Sequence, residues 1–448
     1  MNQKGENMKS ILGKVFLILL TILLLEGCSN EPVAPGPVSP GTSTYDATLA
    51  LEWMELAYDI VSLEDIPAPE CSRLYGYCGI ALYEAVYGGI PDHKSLGGQL
   101  REMPQMPTPE DETYDWPSVL AATLKVVSTG ILYQPTQISI DWINDLYNNQ
   151  MQQRSSEVEE STINRSVNYG EFLGNAIVEW SLSDNFLDTR DIPYEPPPRS
   201  INPAFWEPTI PGQHALEPYL RFQRPFCLQS ANQCAVDLEF PFDTIPGTQF
   251  YDEGMEVLQK SQNLTPDEMN IAFFWEDKDG TGQPPGHWVA ITNIAINQYN
   301  LKLDETVRLY ALVGAAIRDA FISCWEAKYR VNLLRPKTYI RDYLGEPNWN
   351  PIVVTPPFPE YTSGHSVVSG AVSKVLTWRF GDNVAFTDDT HDNQPGLRNR
   401  NFTSFYHAAD EAAWSRMYGG IHYRAGIVNG VEQGRLVADQ VLATIKFD

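Results

Sequence analysis

"DETVRLYALVGAAIRDAFISCWEAKYRVNLL", Asp304 to Leu334, is one long helical pattern that no proline interrupts. Two more such patterns follow, from about Gly364 to Phe380 and from about Asp410 to the end, the last broken by glycines. Toward the N-terminus, Leu49, Trp53, Leu56 and Ile60 fall on one stripe. "RLYGYCGIALYEAVYG", Arg73 to Gly88, is apolar almost all round and predicts a buried helix. Further helices are expected near Ser118–Tyr133 and Glu157–Trp180. Alternating strand patterns are few and no internal repeat is visible. The expected fold class is therefore all-α, a large helical bundle.

Between the helices lies a long irregular region, Asp184 to about Pro246. Its prolines, as in "IPYEPPPRSINPAFWEPTIPG" (Ile192–Gly212), exclude regular helix. A loop this long in a compact domain is usually functional or wraps the surface. The reading divides the chain into an N-terminal helical region with this loop, 45–250, and a C-terminal helical region, 251–448.

The first residues read as an address. Lys9 and Lys14 precede an apolar run from Val15 to Leu25, followed by "LEGC" ending at Cys28. The run is short for a membrane span and is flanked as an export signal is. A cysteine there resembles a bacterial lipobox, which makes residues 1–28 a signal peptide and Cys28 the lipidated residue. Glu26 is unusual inside such a box. Residues 29–44, "SNEPVAPGPVSPGTST", cannot bury a core and read as a tether. The expected location is that of an exported lipoprotein held at the membrane by its lipid alone. A net charge of −26 argues against nucleic acid as a partner. It also requires any anion site to be a local concentration of basic residues. Export permits disulfides. Cys227 and Cys234, in "FCLQSANQC", could bridge, whereas Cys71 and Cys78 are too far apart on one helix.

Three short stretches supply such a concentration. In "KYRVNLLRP", Lys328 and Arg335 are spaced to project from nearly one helical face, with Pro336 expected to stop the helix. A guanidinium fork beside an ammonium suits a tetrahedral oxyanion; alone, the pair could equally be a solvated basic stripe. In "YTSGHSVVSGA", Tyr361 to Ala371, Ser363 can cap the following helix. The amides of Gly364 and His365 would then face an anion. In "SRMYGGIH", Ser415 to His422, Arg416 adds a second fork, and Gly419 and Gly420 let the chain bend to bring His422 round.

In order and spacing, Lys-x6-Arg-Pro, Ser-Gly-His and Ser-Arg-x5-His resemble the signature of the type-2 phosphatidic acid phosphatase and vanadium-dependent haloperoxidase superfamily. "RDAFISCWEAKYRVNLLRP", "PNWNPIVVTPPFPEYTSGHS", "PPGHW" and "GGIHYR" look like its haloperoxidase branch. The resemblance is good over roughly 273–437. It implies a helical bundle of that type, with one site for phosphate or its analogue vanadate. Lys328, Arg335 and Arg416 would neutralise the oxygens, Ser363 and the Gly364 amide would bond them, and His365 would act as general acid and base. With vanadate as cofactor, His422 would be the vanadium ligand, and the substrates hydrogen peroxide and halide. With a phosphate ester and no cofactor, His422 would form a phosphohistidine. A non-catalytic, anion-binding surface lipoprotein is the third reading.

One departure matters. Phosphatase members carry an Asp four residues after the last histidine, to orient its ring; here that position is Gly426. An unfixed imidazole is a poorer nucleophile, so another group must hold His422. The same resemblance implies that an acidic residue after such a tryptophan supports one of the site arginines; "FFWEDKDGTG" offers Asp277 and Asp279, without deciding between them. His287, in "PPGHW", could line the entrance or hold a loop, and the structural role is favoured. His93, His214 and His391 stand in loop-like, exposed contexts, and Trp275, Trp288 and Trp325 are expected to be core residues.

Overall fold

Residues 39–448, apart from 393 and 395, are described by the structure, a computed structural model. Lys9, Lys14, the apolar run and Cys28 lie outside the described residues. In chain order the helices are α1 (Thr48–Glu64), α2 (Ala68–Val86), α3 (Trp116–Ile131), α4 (Gln137–Ser155), α5 (Glu160–Leu182), the single turn α6 (Phe186–Thr189), α7 (Gln249–Gln262), α8 (Pro266–Phe274), α9 (Gln283–Gln298), α10 (Leu303–Val331), α11 (Pro336–Tyr343), α12 (Gly364–Phe380), α13 (Phe405–Tyr418) and α14 (Arg424–Thr444). Two short antiparallel strands, β1 (Phe386–Asp388) and β2 (Arg400–Phe402), pair with Thr387 opposite Asn401. The fold is all-α, as expected. Among the described residues no helix is long and apolar enough to cross a membrane.

Helix α10 runs through the middle of the fold. It packs along α2 on one side and against α12 and α14 on another, so residues before and after position 250 share one core. Burial on all faces explains why α2 looks apolar almost all round. At the crossing of α12 and α14, Gly370 lies against the Val431 carbonyl and Gly434 against the Val367 carbonyl. The glycines that break the last apolar pattern thus serve helix contact. A Gly434→Ala methyl would fall on the Val367 oxygen and 2.8 Å from the Ala371 nitrogen, neither of which can swing away. We expect that change to destabilise the protein by about 1–3 kcal/mol, the range for overpacking, measured by denaturant unfolding.

Two expectations are corrected here. Lys328 and Arg335 do not share a helical face. The chain leaves the helix at Asn332, which caps α10 in the left-handed region (φ 53°). Arg335 is instead the N-cap of α11 and Pro336 its first residue. A proline with no N–H to lose starts a helix as readily as it ends one. Cys227 and Cys234 do not bridge: both are buried free thiols, like Cys71, Cys78 and Cys324. The loop around Cys227 is pinned by Asp319 of α10, whose carboxylate accepts the Phe226, Cys227 and Leu228 amides at 2.6, 2.8 and 3.0 Å.

The proline-rich region wraps the end of α10. The Trp206 amide donates to the Asn332 carbonyl and the Leu334 amide to that of Ala204, both at 2.8 Å. Further along, the Leu216 amide bonds the Pro357 carbonyl at 3.0 Å. This places Gln213 and Leu216 on the wall of the cavity described next.

Candidate active site

The end of α10, the cap of α11, the start of α12 and the turn between α13 and α14 converge around a cavity of about 520 Å³. Its wall includes Gly364, His365, Arg416, His422, Asp277, Trp325 and Phe358. Ser363 caps α12 through its hydroxyl, which accepts the Ser366 amide at 3.3 Å. The first-turn amides of a helix have no acceptor within it, so those of Gly364 and His365 remain for a ligand. A methyl on Gly364 would meet only Trp325, at 3.6 Å. The protein itself therefore leaves room there.

His422 arrives as the glycines suggested. Gly420, at φ +78°, takes the chain from α13 into the turn before α14. Such a positive φ suits glycine and strains other residues. The His422 Nε2 accepts from Arg335 Nη1 at 3.1 Å, and its Nδ1–H donates to Glu360 Oε1 at 2.7 Å. Burial, followed by the charges of Arg335, Lys328 and Arg416, holds the ring's pKa well below the usual range. The ring is therefore neutral, with a fixed tautomer whose lone pair is on Nε2.

Glu360 is the group the sequence did not name. It stands five residues before His365, in the run "PPFPEYTSGH", and not after His422. It is fully buried and also accepts the Tyr423 amide at 3.0 Å. Burial lifts its carboxyl to about 7, against the lowering effect of Arg335 and Lys328. It accounts for Gly426 as well: a side chain there would collide with Glu360 Oε1. The glycine is the space the orienting carboxylate occupies. The only signal for this was an acidic residue beside "YTSGH", and no spacing rule connects it to His422.

The three cations are buried: Lys328 and Arg335 at 0% exposure and Arg416 at 1%. Among the described residues none of them forms an ion pair with a carboxylate. Arg335 Nε donates to the Phe358 carbonyl at 2.8 Å. Arg416 Nη1 donates to the Trp275 carbonyl at 2.5 Å and to His365 Nε2 at 2.7 Å. Arg335 Nη2 and Arg416 Nε have no partner. Burial pulls Lys328 down to about 8 and both arginines to about 10. Lys328 departs from a simple picture of cations lining a cavity. Its Nζ donates to the Pro359, Glu360 and Thr362 carbonyls at 3.1, 3.1 and 2.5 Å, so it sits beneath the loop that carries Ser363.

His365 lines the cavity beside Arg416, with its pKa brought down to about 4 by burial and then by Arg416. Asp277 Oδ2 is 3.3 Å from its Nε2. That nitrogen accepts from Arg416, so Asp277 becomes its partner once the ring is protonated. Of the two aspartates, Asp277, 5% exposed, is the one beside His365, and neither forms an ion pair with a site arginine; Asp279 is exposed at the rim. His287 does not line the entrance. It is buried, stacked 4.2 Å from Trp275, and held between Asp277 and Asp388. His391, expected to be exposed, is 4% exposed, because the turn after β1 folds it beneath Phe274. His214 is exposed and His93 partly so. Trp275, Trp288 and Trp325 are buried at 1% each, although Trp325 also faces the cavity.

Residues 308–447 match the family model described as the VCPO second helical-bundle domain. The whole described fold is similar to the crystal structure described as the first bacterial vanadium-dependent iodoperoxidase. The TM-score is 0.83 and the identity 35%, over 90% of this chain and 97% of that one. The chain belongs to the vanadium haloperoxidase superfamily. Vanadium chloroperoxidase of Curvularia inaequalis is 26% identical over 283 residues, 46% of this chain and 46% of that protein, so the chain matches about half the length of this curated relative. A bacterial vanadium-dependent chloroperoxidase in its apo form shares the fold, with a TM-score of 0.64 and 16% identity, over 85% of this chain and 95% of that one. The residues present fit a vanadate ion: three buried cations without carboxylate partners, unpaired guanidinium nitrogens, space over Gly364, and a neutral imidazole nitrogen.

Proposed function

We propose that the chain is a vanadate-dependent haloperoxidase that oxidises halide with hydrogen peroxide, with iodide as the halide to test first. The observation that carries this is the neutral His422, fixed by Glu360 and facing a cavity that Arg416 lines, with Arg335 against its Nε2 and Lys328 buried behind the loop. The iodoperoxidase at 35% identity supports iodide. Vanadate, when bound, supplies a Lewis-acidic centre that activates peroxide toward attack by halide. The chain's part is to hold and to move protons. Arg335 and Arg416 neutralise the oxyanion and Lys328 adds its charge from beneath the loop. Ser363 and the Gly364 amide hold its oxygens. His422 presents Nε2 as the ligand atom, Glu360 keeping the ring in place. His365 Nε2 takes and returns protons, with Asp277 stabilising the charged ring.

The same geometry supports a second reading. With Glu360 orienting it, His422 also meets the need of a phosphohistidine nucleophile, so the absence of an Asp at Gly426 no longer counts against phosphatase chemistry. One comparison separates the readings. Phosphate-free protein is assayed for peroxide-dependent iodide oxidation with and without vanadate, alongside phosphate-ester hydrolysis without it. Oxidation that requires vanadate is expected; hydrolysis alone, inhibited by vanadate, would favour the second reading.

His365→Ala is expected to leave vanadate binding intact and to lower turnover ~10²–10⁴-fold, the usual contribution of a positioned acid–base group. Vanadate affinity by calorimetry, together with initial rates, checks both halves.

A further inference from the structure

We infer that Asp277, His287 and His391 form a second metal site, for a divalent cation of the zinc class, behind the oxyanion cavity. One ligand atom from each lies within 4.8 Å of those of the others. All three residues are buried, at 5%, 1% and 4% exposure. They come from the loop after α8, from α9 and from the turn after β1, so the fold gathers them from separate parts of the chain.

Two observations point to a ligand. His391 has no hydrogen-bond partner on either ring nitrogen, despite its burial. Leaving such a group unpaired is costly, unless something takes its lone pair. Its Nε2 is 3.5 Å from Asp277 Oδ1, and its ring stands edge-on to His287 at 4.9 Å between centroids. Secondly, Asp388 orients His287 from behind. Its Oδ2 accepts from His287 Nε2 at 3.0 Å, and its Oδ1 is fixed by the Thr390 amide and hydroxyl at 3.1 and 2.7 Å. His287 Nδ1 is hydrogen-bonded to Asp277 Oδ1 at 2.8 Å, so a metal entering there takes the place of the Nδ1 proton. A carboxylate behind an imidazole whose other nitrogen faces the ligand set is a recurrent support for a metal-bound histidine.

Charge agrees with this. Two aspartates and two neutral imidazoles sum to −2, which a divalent cation cancels. Two imidazoles and one carboxylate, with room for water as a fourth ligand, suit zinc and its neighbours. At zinc–ligand distances of about 2.0–2.2 Å, tetrahedral ligand atoms stand about 3.4 Å apart; the Asp277–His391 pair at 3.5 Å already fits, and the Asp277–His287 pair at 2.8 Å opens slightly on binding. A cavity of about 280 Å³, lined by Asp277, His391, Glu276 and Gln394, gives access. The site shares Asp277 with the oxyanion cavity: Oδ1 is toward the metal set and Oδ2 toward His365.

The test uses the full chain, stripped with a chelator and titrated with cobalt(II), a coloured stand-in for zinc, with vanadate absent. One equivalent is expected to bind with the visible absorption of four-coordinate cobalt and to be displaced by zinc. Saturating phosphate, which addresses the oxyanion cavity, should leave that absorption in place. His391→Gln is expected to remove the absorption, and Asp388→Asn to weaken binding ~10–100-fold. Both variants should match the metal-free parent in circular dichroism and thermal unfolding. Absence of a stoichiometric cobalt signal in the parent, or an undiminished signal in both variants, would overturn the inference.

Discussion

Replacing His422 with alanine is expected to bring vanadate-dependent iodide oxidation down to the level of vanadate without protein. The loss should exceed the ~10²-fold typical of a group that only supports a metal ligand, because the ligand atom itself disappears. The structure leaves no substitute. Among the described residues of the cavity wall, His365 is the other imidazole; its Nε2 is beside Arg416 at 2.7 Å and Asp277 at 3.3 Å, and its Nδ1 has no carboxylate partner to orient it as Glu360 orients His422. The folded state should survive, since His422 faces the cavity and the flanking turn is set by Gly420. Unchanged circular dichroism with lost activity is the expected pair of results.

The second large effect concerns Glu360. Glu360→Gln is expected to lower turnover ~10–100-fold, as loss of a group that orients a ligand does. Vanadate affinity should hold or rise, because a negative charge is removed from beside Arg335 and Lys328. A merely structural role would instead lower affinity and turnover together. Glu360→Ala leaves both the His422 Nδ1–H and the Tyr423 amide without their acceptor, so about 1–3 kcal/mol of stability should go as well. Gly426→Asp in the parent should be harmful, since its side chain would run into Glu360. In the Glu360→Ala background the same change is expected to recover part of the lost turnover, by supplying a carboxylate from the other side. Steady-state rates of the four proteins decide the matter.

Much of the fold was legible because helix periodicity is a local property. The pattern from Gly364 to Phe380 became α12 with the same bounds, and the proline cluster marked the irregular wrap. What failed was non-local or depended on a single residue. Lys328 and Arg335 carry helical spacing, yet one left-handed asparagine at 332 separates them into two elements. Glu360 acts on a residue 62 positions away, a pairing that no local rule encodes. Gly426 was read as a missing carboxylate, because a sequence shows which side chain is absent and not what fills the space. His391 followed the same logic: a polar turn looks exposed until strands β1 and β2 fold it inward. The candidate residues themselves were picked out because three short motifs, each unremarked alone, resemble together the order and spacing of a superfamily signature.

The measurement closest to the central claim is a calorimetric titration of vanadate into phosphate-free protein, repeated with His422→Ala. One vanadate per chain is expected, displaced by phosphate and strongly weakened in the variant. If no vanadate binds, or if the variant binds it as tightly as the parent, these residues do not form a vanadate site.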